Sequence, residues 1–420
     1  MNRGYATLVL LGTKLSSIGA NNIIPSRLKP EVFKKRIKMK NIFFIIIMLI
    51  LLLHISCTQN KNAYDINNLF DSIADSILNS SVIYATGFDI YEINNVKKLV
   101  IYSPSNNDEI LVTYFFTDSS YYHNYQSSSN YFQIPMDSVA VFSATQLNAF
   151  SKLNIIDKVI AISESEYIKN KEIKERYSNN QIVDLANNGN FYLEKTLELG
   201  PRIIFYSPYN LSQKHPLAAT NITMIPFFDF LESDPLGRAE WIKFTALFFN
   251  KTYEADVIFD SIVIEYNRYK KLAMKAGVNP SIFSDKYYAG QWFMPGGQSY
   301  IAKLFRDAGA NYLWKENQST GSVNLDFEVV FNKAHNANFW RIVGTYSDGF
   351  SYKKLGNENN LYKNFEAFKN KNIIFCDSKS SSYFETGTLE PHLLLADLIF
   401  AFHPQLMPYY EPKYYNLMND

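Results

Sequence analysis

The chain has 420 residues, with 41 basic and 40 acidic side chains and a net charge of +1. That balance leaves no electrostatic footprint for nucleic acid, so no nucleic-acid partner is expected. The length beyond residue 57 is enough for two ordinary domains. Tyr (30) and Phe (32) are abundant, which first of all means aromatic cores and only weakly points to a ligand cleft.

Residues 1–38 show no sustained hydrophobic period and end in a basic cluster, Lys34, Lys35 and Arg36. They read as an over-called start or a disordered leader. From Met39 a short basic start (Lys38, Lys40) leads into an unbroken apolar block, Ile42 to Leu53, and then Ser56 and Cys57. As a helix that block reaches only about 18 Å, short of a hydrocarbon core of roughly 30 Å. It has the length of an export-signal h-region. The stretch 39–56 resembles a bacterial lipoprotein signal, with His54 standing where an aliphatic is usual. The resemblance implies that Cys57 is diacylated and becomes the mature N-terminus, and two acyl chains anchor stably where one does not. An uncleaved anchor or a buried helix are the alternatives. With Cys57 lipidated, Cys376 has no disulfide partner; within Ile-Ile-Phe-Cys it reads as a buried strand residue.

Residues 57–95 read as a polar tether and extension, with an amphipathic segment over 66–78. From 96 the texture changes to short β-branched runs. Strands are expected over 96–102, 110–116, 139–142, 159–162, 203–206 and 224–228, with helices over 145–153 and 191–199. The first two strands suit a hairpin turning at 103–109; the later ones alternate with helices, which favours parallel pairing through right-handed crossovers. Asp234-Pro235 starts a helix to about 249. Thr252 starts another, to about 276, whose 36 Å or so could brace two lobes. After Pro280 the α/β texture restarts: strand 286–293, helices 299–308 and 327–334, strand 340–345, helix 362–369, strand 373–376 and helix 389–402. The fold class is therefore α/β, with two Rossmann-like lobes (96–234 and 278–410) bridged within 235–277 by one long helix, and a tail at 411–420.

Each lobe contains a similar unit. The first reads Asn190-Phe-Tyr-Leu-Glu194-Lys-Thr-Leu and the second Asn324-Leu-Asp-Phe-Glu328-Val-Val-Phe: an apolar residue and a Glu at a helix start, then a strand. With Val139-Ala-Val-Phe-Ser-Ala-Thr-Gln, Pro295-Gly-Gly-Gln-Ser-Tyr and Leu394-Leu-Ala-Asp-Leu in this order, the chain resembles the substrate-binding proteins of ABC importers for iron-siderophores, haem and cobalamin. The resemblance covers roughly 96–408. It departs at Gly200-Pro201-Arg202, where Lys-Pro-Asp is usual. It implies that Glu194 and Glu328 lie on the lobe tips and pair with arginines of a permease served by an ATPase subunit; a first-turn Glu that merely stabilises its helix is the simpler reading.

Cleft walls are expected from Ser143, Ala144 and Thr145 in one lobe and Gln291, Trp292 and Met294 in the other. Glu390 is a further candidate ligand contact. Arg238 sits in a helix's first turn, where the dipole opposes a cation. Its expected partner is Glu232, Asp234 or an anionic group of the cargo. No His pair, H-E-x-x-H, G-x-S-x-G, Walker loop or G-x-G-x-x-G occurs, so no metal ligands, catalytic residues or built-in cofactor are assigned. The expected function is a membrane-tethered protein that clamps an iron chelate, haem or cobalamin and presents it to the permease from the cell envelope. A chelatase-type enzyme on a related scaffold, and an anchored interaction protein with a degenerate cleft, are the competing readings.

Overall fold

The computed structural model describes residues 79–119, 130–187, 190–208, 215–346 and 349–418. The signal, Cys57, the segment over 66–78 and residues 120–129 fall outside them.

The described chain opens as an irregular strap, 81–87, laid across a helix that comes much later in sequence, α4 (Pro235–Phe248). A strap with no ladder still has to satisfy its main-chain N–H groups. Two acids supply the acceptors. Glu240 takes the N–H groups of Ile83 (3.0 Å), Tyr84 (2.7 Å) and Ala85 (2.9 Å). Glu232 takes those of Thr86 and Gly87, both at 3.0 Å, and the indole N–H of Trp241 at 2.9 Å. Gly237 is required beneath the strap, because a Cβ there would lie 2.7 Å from the Tyr84 carbonyl oxygen.

A first sheet follows: β1 (Phe88–Ile93), β2 (Val96–Ser103), β3 (Asn106–Thr117) and β4 (Tyr131–Gln133), in that spatial order. The β1–β2 turn places Asn94 and Asn95 at positive φ, 48° and 66°, the geometry a two-residue hairpin needs. The expected hairpin of β2 and β3 is present, but pairing runs to Ser103↔Asn106, so its turn is shorter than 103–109. The ordered sheet also begins before the expected boundary at 96.

In the first lobe β5 (Val139–Val141), β6 (Val159–Ile162), β7 (Val183–Asp184), β10 (Ile203–Tyr206) and β11 (Thr223–Pro226) form a parallel sheet in the order β11-β10-β5-β6-β7. β8 (Ala186–Asn187) and β9 (Asn190–Phe191) make a small antiparallel pair. Helices α1 (Ala144–Lys152), α2 (Lys171–Ser178) and α3 (Leu193–Leu199) supply the connections. Both faces of the sheet are covered, which is why Val-Ala-Val and Ile-Ile-Phe read as continuous apolar runs and are wholly buried.

The two helices expected between the lobes are α4 and α5 (Thr252–Ala273). Asp234 caps α4, its carboxylate accepting the Leu236 N–H at 2.9 Å, and Pro235 occupies the first turn. Nearly every α4 side chain is buried, and Trp241, Phe244 and Phe248 stack into Phe88, Phe205 and Phe227. Full burial of each such ring contributes about 2 kcal/mol.

The second lobe begins at β12 (Ser281–Ser284), upstream of the expected strand. Residues 286–293 instead split into β13 (Tyr287–Tyr288) and β14 (Gln291–Pro295), because Ala289 and Gly290, both at positive φ, form a hairpin turn. The main sheet adds β15 (Asn311–Tyr312), β17 (Phe339–Gly344), β18 (Ile373–Asp377) and β19 (Asn416–Leu417), ordered β15-β12-β17-β18-β19; β16 (Ser322–Leu325) joins β13 and β14 in a separate antiparallel sheet. Helices α6 (Tyr300–Asp307), α7 (Phe327–Ala334), α8 (Tyr352–Glu358), α9 (Glu366–Lys369), α10 (Tyr383–Thr386) and α11 (Pro391–Phe402) complete it. Cys376 is buried in β18, and burial pushes its thiol up to about 11.

Residues 411–418 are not a loose tail. β19 pairs antiparallel with β18, and Tyr414 and Tyr415 are buried. The buried carboxylate of Asp397 on α11 accepts from Tyr410 OH (2.6 Å) and from the N–H groups of Lys413 (3.1 Å), Tyr414 (2.6 Å) and Tyr415 (3.0 Å). Asp397→Ala removes these acceptors together. It should cost about 3 kcal/mol, since each buried donor left unpaired costs roughly 1–3. Urea unfolding of the variant beside the parent measures this.

Candidate binding cleft

In parallel α/β sheets ligands settle beyond the carboxyl ends of the strands. Both lobes turn those ends toward a shared cavity of about 550 Å³. The first lobe contributes Ala144 from the start of α1 and Glu166, Tyr167 and Lys169 from the loop after β6. The second contributes Lys379, Phe384 and Glu385, from the loop after β18 and from α10, among its lining residues. Tyr167 is 60% exposed and Phe384 58%. Large aromatic rings left this open, one on each lobe, offer flat apolar contact to whatever enters.

The loop carrying Tyr167 is held by Asp184 at the end of β7, which accepts the N–H groups of Glu164 (3.1 Å) and Ser165 (2.8 Å). Glu164 itself sits at φ 54°. Across the cleft, Glu385 accepts from Lys169 N–H at 2.8 Å and Asn170 N–H at 3.0 Å. Burial pushes its pKa up, and those main-chain donors oppose the shift. Asn148 on α1 donates to the Thr386 carbonyl (3.1 Å), and Thr388 donates to the Thr145 carbonyl (3.3 Å).

The expected wall residues divide. Ala144 lines the cavity; Ser143 and Thr145 flank it, their hydroxyls 2.9 Å apart. The trio of the second lobe does not face the cleft. Trp292 is fully buried, its indole donating to the Ser284 carbonyl at 2.8 Å and its ring packed on Trp340, Phe283 and Phe327. Met294 is equally buried, and Gln291 is an exposed residue paired with Tyr288. The cause is the hairpin at 287–295: these residues belong to the small antiparallel sheet rather than to a strand end facing the cavity.

Glu390 is also committed elsewhere. It pairs with Lys152 at 3.2 Å, with Lys413, and accepts from Tyr414 OH. Burial would raise its pKa, but these partners outweigh burial and hold it below the ordinary carboxylate value. Arg238 is largely but not fully buried, and its partner is neither Glu232 nor Asp234. Its Nε donates to Asp229 Oδ2 at 3.2 Å, and its guanidinium lies 5.0 Å over the Tyr300 ring. Burial raises the Asp229 pKa, and Arg238 opposes that rise. Arg238, Tyr300, Tyr383 and Phe384 surround a water-sized cavity of about 20 Å³. Phe384 borders this cavity and the main one alike.

Glu194 and Glu328 each occupy the first turn of a short helix, α3 and α7, one in each lobe, and both are exposed. Exposed apolar residues flank them: Tyr192, Leu193 and Leu197 beside the first and Val329 beside the second. Neither borders the cleft. Among the described residues no group of three His, Cys, Asp or Glu side chains could hold a metal ion.

Sequence reasoning missed Tyr167, Lys169, Lys379, Phe384 and Glu385. Their only signal is position, in loops that follow buried β-runs, and no motif marks them.

A family model described as periplasmic binding protein matches residues 139–380. An uncharacterized lipoprotein of Methanocaldococcus jannaschii is 28% identical over 283 residues, which is 65% of this chain and 66% of the relative. The match thus spans just under two thirds of that relative's own length. Among solved structures, that of an ABC-type Fe3+-hydroxamate transport system from Saccharomonospora viridis has a TM-score of 0.51 at 14% identity, covering 65% of this chain and 95% of that one. A periplasmic heme-binding protein from Pseudomonas aeruginosa gives 0.52 at 14% identity, with 68% and 98% covered. At such identities the structural likeness is one of fold.

Proposed function

The chain belongs to the periplasmic binding protein family, and from that premise we propose that it is the substrate-binding protein of an ABC importer. It captures an iron chelate (a siderophore or haem) or cobalamin between its lobes and delivers it to a permease. The observation that carries this reading is the cavity of about 550 Å³ lined by both lobes, a size within the range of small-molecule sites. Tyr167 and Phe384 give the cargo two aromatic walls, while Lys169 and Lys379 lie beside them for anionic groups. The solved structures named above concern an iron hydroxamate and a heme, which supports the same class of cargo here. A degenerate cleft filled by its own side chains would have favoured an interaction protein; the open cavity speaks against that alternative. The substrate-binding family equally favours binding over catalysis.

Native mass spectrometry after incubation with haem, cobalamin and a panel of ferric siderophores identifies the cargo, and binding of none of these would overturn the proposal. With the cargo in hand, Tyr167→Ala and Phe384→Ala should each weaken binding about tenfold, the loss expected for an aromatic contact of 1–2 kcal/mol.

Glu194 and Glu328 are proposed to dock on permease arginines. Glu194→Ala and Glu328→Ala should bind cargo as the parent does and lose at most about 1 kcal/mol of stability. Uptake should fall sharply, further in the double variant, and furthest on reversal to Lys, which adds repulsion. Normal uptake by the double Lys variant would sink the assignment.

The relative from Methanocaldococcus jannaschii is named a lipoprotein, and among the described residues no helix is long and apolar enough to cross a membrane. Cys57 is proposed as the lipidated residue that tethers the protein to the envelope. Cys57→Ser should leave the folded lobes intact and move the protein out of the membrane fraction. Retention there would show an uncleaved anchor.

A further inference from the structure

Beside the Thr388–Thr145 and Glu390–Lys152 contacts, the second lobe meets the first through one short helix at the edge of the cleft. α10 presents Phe384 to the cavity and, one residue on, sends the buried Glu385 carboxylate across to the N–H groups of Lys169 and Asn170. Its last residue, Thr386, accepts on its carbonyl from Asn148. The loop it grips, 164–170, is the one that carries Tyr167, and Asp184 holds that loop only at Glu164 and Ser165. Its far end is held within the first lobe by Asn170 Nδ2 donating to Ser151 Oγ at 2.8 Å, and across the cleft by Glu385.

The turn is itself seated from below by the C-terminal segment. Tyr415 OH donates to Tyr383 OH at 2.9 Å, and both phenols accept from the buried Arg341 guanidinium, at 2.9 and 3.1 Å respectively. Tyr414 OH lies 2.7 Å from Thr386 Oγ1. A four-residue helix cannot hold its own geometry, since nucleating one turn fixes several residues for a single hydrogen bond. These phenols seat α10 from the side of its own lobe.

We infer that α10 sets the aperture of the cleft: Glu385 is a positioning residue that clasps the Tyr167 loop of the opposite lobe, and Tyr414 and Tyr415 are positioning residues that seat the clasp. The two aromatic walls, Tyr167 and Phe384, are thereby held at a fixed separation before cargo arrives. Residues 383–386, 414 and 415 all lie beyond the stretch 139–380 that matches the family model. Oε2 of Glu385 alone reaches both N–H groups, so Glu385→Gln can keep both bonds through its amide oxygen but loses the charge and the second bond to Asn170.

The test is a distance measurement between the lobes that needs no cargo, so its outcome is independent of the function proposed above. Spin labels are placed on the exposed positions Lys171→Cys in α2 and Lys353→Cys in α8 of the full chain carrying Cys57→Ser; Cys376 is buried and stays unlabelled. The parent should give one narrow distance distribution. Glu385→Ala should shift it to longer distances by more than the parent's own width, with Glu385→Gln between the two. Tyr414→Phe with Tyr415→Phe, which keeps both rings and removes only the hydroxyls, should broaden it. Tyr362→Phe removes a buried hydroxyl of the same lobe that touches Tyr287 rather than α10, and it should leave the distribution at the parent's. If Glu385→Ala fails to fold, Glu385→Gln carries the test. A parental distribution in the Glu385 variants and in the double Tyr variant would overturn the inference, as would equal broadening by Tyr362→Phe.

Discussion

Several segments that give this protein its particular shape run outside any ladder, and their main-chain N–H groups are satisfied by buried carboxylates. Glu232 and Glu240 hold the strap 81–87 on α4, Asp184 holds the loop after β6, Glu385 holds that loop's far end, and Asp397 holds the C-terminal segment. An unpaired N–H in the interior costs about 1–3 kcal/mol, and charge-assisted bonds to an ionised acid are the stronger kind. A buried acid is expensive by itself, and burial does push the pKa values of Glu232, Glu385 and Asp397 upward. Each acid and its donors offset one another's desolvation. Removal of either side would leave the other exposed to the full penalty.

The second constraint is apolar. α4 is buried around nearly its whole circumference, and its Trp241, Phe244 and Phe248 join the first lobe's sheet to the strap and hairpins beside it. α5 packs along both α4 and α11, so the connection between the lobes is a pair of helices embedded in both. The cleft lies at the carboxyl ends of β5, β6, β17 and β18. The same parallel topology that buries the strands on both faces leaves the loops at their ends free to carry binding residues.

The site was only partly legible. Ala144 could be placed at the cavity from a strand-loop-helix pattern, and Arg238 could be singled out because a cation in a helix's first turn demands a partner. That partner, Asp229, was not legible, because the turn that buries it is set by packing. The error at Trp292 and Met294 has a definite origin. An alternating apolar run can be a strand of the main sheet or a hairpin in a satellite sheet, and periodicity alone does not separate them. The positive φ at Ala289 and Gly290 decided it. Glu385 and Glu390 stand five residues apart, and nothing local distinguishes the acid that clasps the cleft from the acid paired with Lys152 and Lys413.

The sequence by itself determined the α/β class, the two lobes, the two helices between them and the placing of Glu194 and Glu328 at helix starts, because each follows from local signals: a period of 3.6, short β-branched runs, and capping chemistry at Asp234. The tertiary structure alone decided which loops meet across the cleft, where the strap and the C-terminal segment attach, and which acids serve them. Those pairings join residues far apart in the chain, as Glu240 joins Tyr84 and Glu385 joins Lys169. Their energy comes from shared burial, which exists only once both partners have been removed from water.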